Sequence, residues 1–204
     1  MYKKALFCLL IFFSTTLNAQ RFKAVLQGSI AGSQVSGDEL SGFNKPGLLA
    51  GAGVRTGLKK DLSLGFKILY LQKGSRKPSK LDQGDPSTYL LKLNYIEVPI
   101  QFRYKAGKKL ILEFGPSIAY LVKHKEENED GELENRNAFS KIDLSLTGAI
   151  VYPINKFWEL RFEGWQSLLP IRKHGSGITY RQNKGQYNSV IALGIQYTID
   201  SKKE

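Results

Sequence analysis

The chain has 204 residues, 42% of them hydrophobic, enough for one domain of ordinary size, and no segment has the composition shift or Pro/Ser-rich character of a linker to a second. Lys and Arg number 30 against 18 Asp and Glu, a net charge of +12 that raises nucleic acid as a partner until the address of the chain is considered. The one cysteine, Cys8, lies so near the N-terminus that a cleaved leader would remove it, which excludes disulfides and thiolate chemistry from the mature protein.

Residues 1–19 read as that leader. Lys3 and Lys4 supply a charged start, residues 5–13 a run of nine apolar side chains, and Leu17-Asn18-Ala19 a small-residue cleavage site before Gln20. Nine residues are too few for a membrane helix, which needs about 20. Cys8 stands too early to be a lipoprotein acceptor. The domain is therefore 20–204, with 28 basic and 18 acidic residues once Lys3 and Lys4 are removed. An exported chain rarely meets nucleic acid, so the positive excess is expected to face anionic lipid headgroups or lipopolysaccharide phosphate.

Eight stretches of alternating polarity follow, and a period of two is the signature of a strand. In 22–33, Phe22, Ala24, Leu26 and Ile30 share one face and Lys23, Gln27 and Ser29 the other. The stretch 47–58 is rich in Gly and Ala, with Arg55 on the polar face. In 62–73, Leu62, Leu64, Phe66, Ile68 and Tyr70 oppose Lys67. In 91–104, Ile96, Val98, Ile100, Phe102 and Tyr104 oppose Glu97, Gln101 and Arg103, while Leu91 and Leu93 break the alternation at its start. In 110–123, Leu110, Leu112, Phe114, Ile118 and Tyr120 oppose Glu113 and Ser117. In 138–152, Ile142, Leu144, Leu146, Ile150 and Tyr152 oppose Asp143, Ser145 and Thr147. In 157–169, Trp158, Leu160 and Phe162 oppose Glu159, Arg161 and Glu163. In 187–199, Ile191, Leu193, Ile195, Tyr197 and Ile199 share a face.

Short turns (59–61, 106–109, 153–156) alternate strictly with long polar loops (34–46, 74–88, 124–137, 170–186). Outer-membrane barrels alternate in this way, with short periplasmic turns and long outer loops. Phe22, Tyr70, Tyr104, Tyr120, Tyr152, Trp158 and Tyr197 fall near strand ends, where aromatic girdles form. The expected fold is an all-β, eight-stranded antiparallel up-and-down transmembrane β-barrel in an outer membrane. The alternative, a secreted lipocalin-like carrier, would need the apolar face inside; the many charges on the minority face argue against a dry ligand pocket.

Gly32-Ser33-Gln34-Val35-Ser36-Gly37-Asp38, Gly42-Phe43-Asn44-Lys45-Pro46-Gly47, Leu69-Tyr70-Leu71-Gln72-Lys73-Gly74-Ser75 and Asn94-Tyr95-Ile96-Glu97-Val98-Pro99 resemble the PorT-type outer-membrane β-barrel family. The resemblance covers about 28–105; the second half matches in pattern alone. It implies an eight-stranded outer-membrane barrel. PorT is tied to protein secretion, which makes envelope or secretion proteins the expected partners.

Inward charges are the first candidate site: Lys23, Arg55, Lys67, Arg103 and Arg161 facing Glu97, Glu113, Asp143, Glu159 and Glu163. An eight-stranded barrel has room for little but side chains, and buried charges must pair, so these are expected to form a static plug. Glu159 and Glu163 stand about 13 Å apart along a strand, beyond the reach of paired catalytic carboxylates; they are expected to grip Arg161 or its neighbours. His174 and Ser176 make a His-x-Ser pair of the kind used by outer-membrane lipid deacylases, but no Asp or Glu follows before Ile199 to orient the imidazole. The acidic loop 126–134 lacks the spacing of a calcium loop. Basic loops (Lys73, Arg76, Lys77 and Lys80; Arg172, Lys173, Arg181 and Lys184) suit lipopolysaccharide phosphate. No cofactor, metal site or catalytic set is expected, and the expected role is structural or interactive.

Overall fold

Period-two patterning becomes a closed sheet. The computed structural model describes residues 22–38, 40–133, 138–173 and 185–199. Its strands are β1 (Phe22–Ser36), β2 (Lys45–Gly57), β3 (Leu62–Lys77), β4 (Tyr89–Lys105), β5 (Ile111–Asn128), β6 (Gly131–Glu132), β7 (Ile142–Pro153), β8 (Trp158–Ser167) and β9 (Tyr187–Ile199). Every neighbouring pair is antiparallel. β4 pairs with β5, and β1 with both β2 and β9, so eight long strands close on themselves and leave no edge. β6 is a two-residue strand folded back on the outer end of β5. Closure is what a strand protein needs in hydrocarbon, where an unpaired backbone edge has no water to bond.

The strand faces follow the sequence. Along β5, burial alternates residue by residue from Ile111 to Val122. Across the barrel the exposed set is apolar: Ile30 is 67% exposed, Phe114 59% and Ile150 54%, whereas Glu97 and Arg161 are 0% exposed. A water-soluble carrier would invert this arrangement. Trp158 packs on Tyr197 with ring centroids 4.9 Å apart, beside Phe157 on the end where both described termini lie. With the short turns at that end, it is the periplasmic rim.

Strand lengths depart from the reading of the sequence at the outer end. β3 runs to Lys77 and β5 to Asn128, so the β3–β4 and β4–β5 hairpins continue into stretches expected to be loop. His124, expected in a loop, is in β5 and stacks against Phe139 at 5.4 Å. The alternation of β4 does not break: Leu91 and Leu93 are inward and fully buried. Gly74, at φ +139°, lets β3 approach β4; a Cβ there would lie 1.9 Å from the Leu91 carbonyl oxygen. The proposed leader 1–19 and the pair His174 and Ser176 lie outside the described residues.

Candidate functional site

Inward residues from all eight long strands fill the bore in layers, and position along the strands orders them. Nearest the periplasm is a charge network. Arg103 donates to Glu113 from the neighbouring strand and to Glu159 across the bore. Glu159 also accepts from Arg55 at 3.3 Å and from the Gln196 amide at 2.9 Å. Arg161 donates to Glu113 at 2.6 Å and to Glu163 at 3.1 Å. Lys67 lies 3.7 Å from Glu113 and donates to Gln27 at 3.0 Å; Gln27 and Ser29 in turn donate to Glu163. Each carboxylate thus has several donors, the arrangement that offsets desolvation of a buried charge. A void lined by Arg103, Gln101 and Gln196 measures about 10 Å³, room for about one water.

Above it, Leu49, Leu69, Leu71 and Trp165 form an apolar layer with Val190 and Ala192. A second charge cluster follows. Lys73 is 0% exposed, 2.8 Å from Glu97 and 3.0 Å from Asp143, with its ammonium 4.7 Å from the Tyr95 ring centre. Ser117 and Ser145 donate to Glu97, and Asn188 donates to Asp143 at 2.9 Å.

The outer mouth is closed by apolar packing and one latch. Val35, Leu91, Leu93, Ala119, Leu121 and Ile171 pack together, with Tyr89 and Phe139 against them. Ile171, shortly after β8, is fully buried among them, and its carbonyl accepts from Ser140 N–H at 2.6 Å. The next residue, Arg172, donates to both Glu126 oxygens at 2.7 and 2.9 Å and to Gln186 at 2.7 Å, and Tyr89 donates to Glu126 at 2.6 Å. Burial alone would lower the Arg172 pKa, but the Glu126 hydrogen bonds overcome it and hold the guanidinium above its ordinary value.

Nine of the ten charges named from the sequence are drawn into these clusters, and the tenth, Lys23, stands half-buried at the periplasmic mouth. The grouping differs from a single plug. Glu97 and Asp143 answer to Lys73, while Arg103 answers to Glu113 and Glu159. Glu163 grips Arg161; Glu159 grips Arg103 and Arg55 instead. Three residues read as loop charges are internal: Lys73, Glu126 and Arg172. Their signal was present only in register, since each continues the inward face of an extended strand or meets a buried partner there.

A profile of the outer membrane protein beta-barrel domain matches residues 14–172. The chain belongs to that family. As a member of the outer membrane protein beta-barrel domain family it resides in the outer membrane, and solved structures agree on the fold. Ail, the attachment invasion locus protein of Yersinia pestis, aligns over 88% of this chain and 99% of its own, with a TM-score of 0.53 at 12% identity. Neisserial surface protein A aligns over 85% and 96%, with a TM-score of 0.51 at 11% identity. These likenesses carry the barrel architecture alone. No curated protein matches the chain.

Proposed function

We propose that the protein is a plugged outer-membrane barrel with a structural or interaction role, neither an enzyme nor an open channel. The supporting observation is the filled bore, in which carboxylates meet Arg and Lys at hydrogen-bond distance instead of lining a water path. A lumen spent on its own ion pairs leaves the outer hairpins and the periplasmic rim as surfaces for partners. The PorT-type motifs favour partners in a protein-secretion assembly, and exposed Arg76, Lys80 and Lys123 on the outer side suit lipopolysaccharide phosphate. The test is cross-linking in native outer membranes followed by affinity capture of the barrel. Recovery of envelope or secretion proteins in stoichiometric amounts supports the reading. Recovery of the barrel with lipid only contradicts the partner role.

A further inference from the structure

The periplasmic mouth carries an excess of charge that the plug does not consume. A cavity of about 460 Å³ opens there inside the ring of strand ends, within the range of small-ligand sites. Its wall carries Lys23, Lys60, Lys105, Lys108 and Lys156; its floor is Arg55 and Arg103 on Glu159. Leaving Lys23 aside, six cations thus meet two carboxylates in the described lining, Asp61 and Glu159, and Glu159 is already engaged by both arginines. Among the described residues, Lys60, Lys108 and Lys156 have no carboxylate within ion-pair distance. Lys59 and Lys109 add charge on the same turns, whereas the outer hairpins mix Lys with Asp85, Glu127, Glu129, Asp130 and Glu132.

We propose that this vestibule is a binding site for a soluble anion carrying two or more linked phosphates. Three observations converge on that class. The charge to be neutralised is concentrated in a small volume, and linked phosphates supply more negative charge per atom than carboxylates on a carbon frame. The accessible cations are lysines, flexible point charges that suit phosphate without the planar fork of a carboxylate clamp. The cavity lies inside the barrel wall and faces the periplasm, so a lipid headgroup would have to leave its leaflet to enter.

The inference goes beyond the interaction role above and does not depend on it. It is tested by titrating pyrophosphate, tripolyphosphate and succinate into the full barrel in phosphatidylcholine nanodiscs at low salt, by calorimetry. Pyrophosphate is expected to bind one per barrel, about tenfold or more tighter than succinate, and to weaken as salt shortens the Debye length. The triple variant Lys60→Gln, Lys108→Gln, Lys156→Gln should lose at least about tenfold in affinity, with its urea midpoint unchanged. The outer triple variant Arg76→Gln, Lys80→Gln, Lys123→Gln should bind as the parent does. Equal loss in both triples, or equal affinity for succinate, overturns the proposal. Loss of pyrophosphate binding in phosphatidylglycerol nanodiscs assigns the vestibule to lipid headgroups and overturns it as well.

Discussion

Lys73 is the residue on which the outer half of the plug depends. Its ammonium has two carboxylates and an aromatic face around it and no solvent, so removing it strands two charges, whereas removing Glu97 leaves it paired with Asp143. Lys73→Ala should lower the unfolding free energy by about 3–5 kcal/mol, the range for breaking a buried pair, and Glu97→Ala by less, since the Lys73–Asp143 pair remains. The double variant should lose clearly less than the sum, because Glu97 is one of the two carboxylates that the Lys73 deletion leaves unpaired. Glu97 and Arg103 look like partners in the sequence, both inward on β4, yet six residues of strand separate them by about 20 Å. Their deletions should add to within about 0.3–0.5 kcal/mol, and a coupling above 1 kcal/mol in urea unfolding cycles would join the two clusters that the contacts keep apart. Lys73 itself was hard to read because it stands next to Gly74 and a run of basic residues, which is how a loop is written. Only the strand register, carried past Gly74 to Lys77, turns it inward.

At the scale of the element, β4 shows which parts of a barrel strand are legible. From Ile96 to Phe102 its outward face is apolar because lipid is a uniform solvent, so Ile96, Val98, Ile100 and Phe102 announce themselves; beyond them the same face turns polar at Asn94 and Lys92. Its inward face changes character along the axis, from Arg103 and Gln101 through Glu97 to Tyr95, Leu93 and Leu91. At the outer end the alternation persists with its polarity inverted, Leu91 and Leu93 inward and Lys92 and Asn94 outward, which is why that third of β4 reads as a break in the sequence. Val98→Arg should cost about 2–4 kcal/mol if that position lies near the midplane, measured by unfolding in lipid; an unchanged value would mean the faces are reversed. Gly74→Ala should impair the β3–β4 hairpin, since the new Cβ meets the Leu91 carbonyl and the backbone there has positive φ. The Arg172 latch at the outer mouth is the second such test. Arg172→Ala takes both guanidinium hydrogen bonds from the buried Glu126 carboxylate and should destabilise the barrel by about 3–5 kcal/mol, the range for breaking a buried pair.

For the whole molecule, the eight-strand count, the lipid face and the alternation of short turns with long loops were all legible, because each is written in local pattern. The pairing of interior charges was not, since it depends on shear and on which side chains meet across the bore. That pairing is the substance of the claim that the lumen is closed: a charge network below, an apolar layer between, a Lys73 cluster above, and the Arg172 latch at the mouth. Conductance of the purified barrel in a planar bilayer tests it most directly. A filled lumen gives a baseline without steady unitary currents, and opening of the outer latch by Arg172→Ala leaves that baseline unchanged because the two lower charge clusters still block the path. Steady, large single-channel currents from the parent protein would contradict the plug and make the barrel a pore.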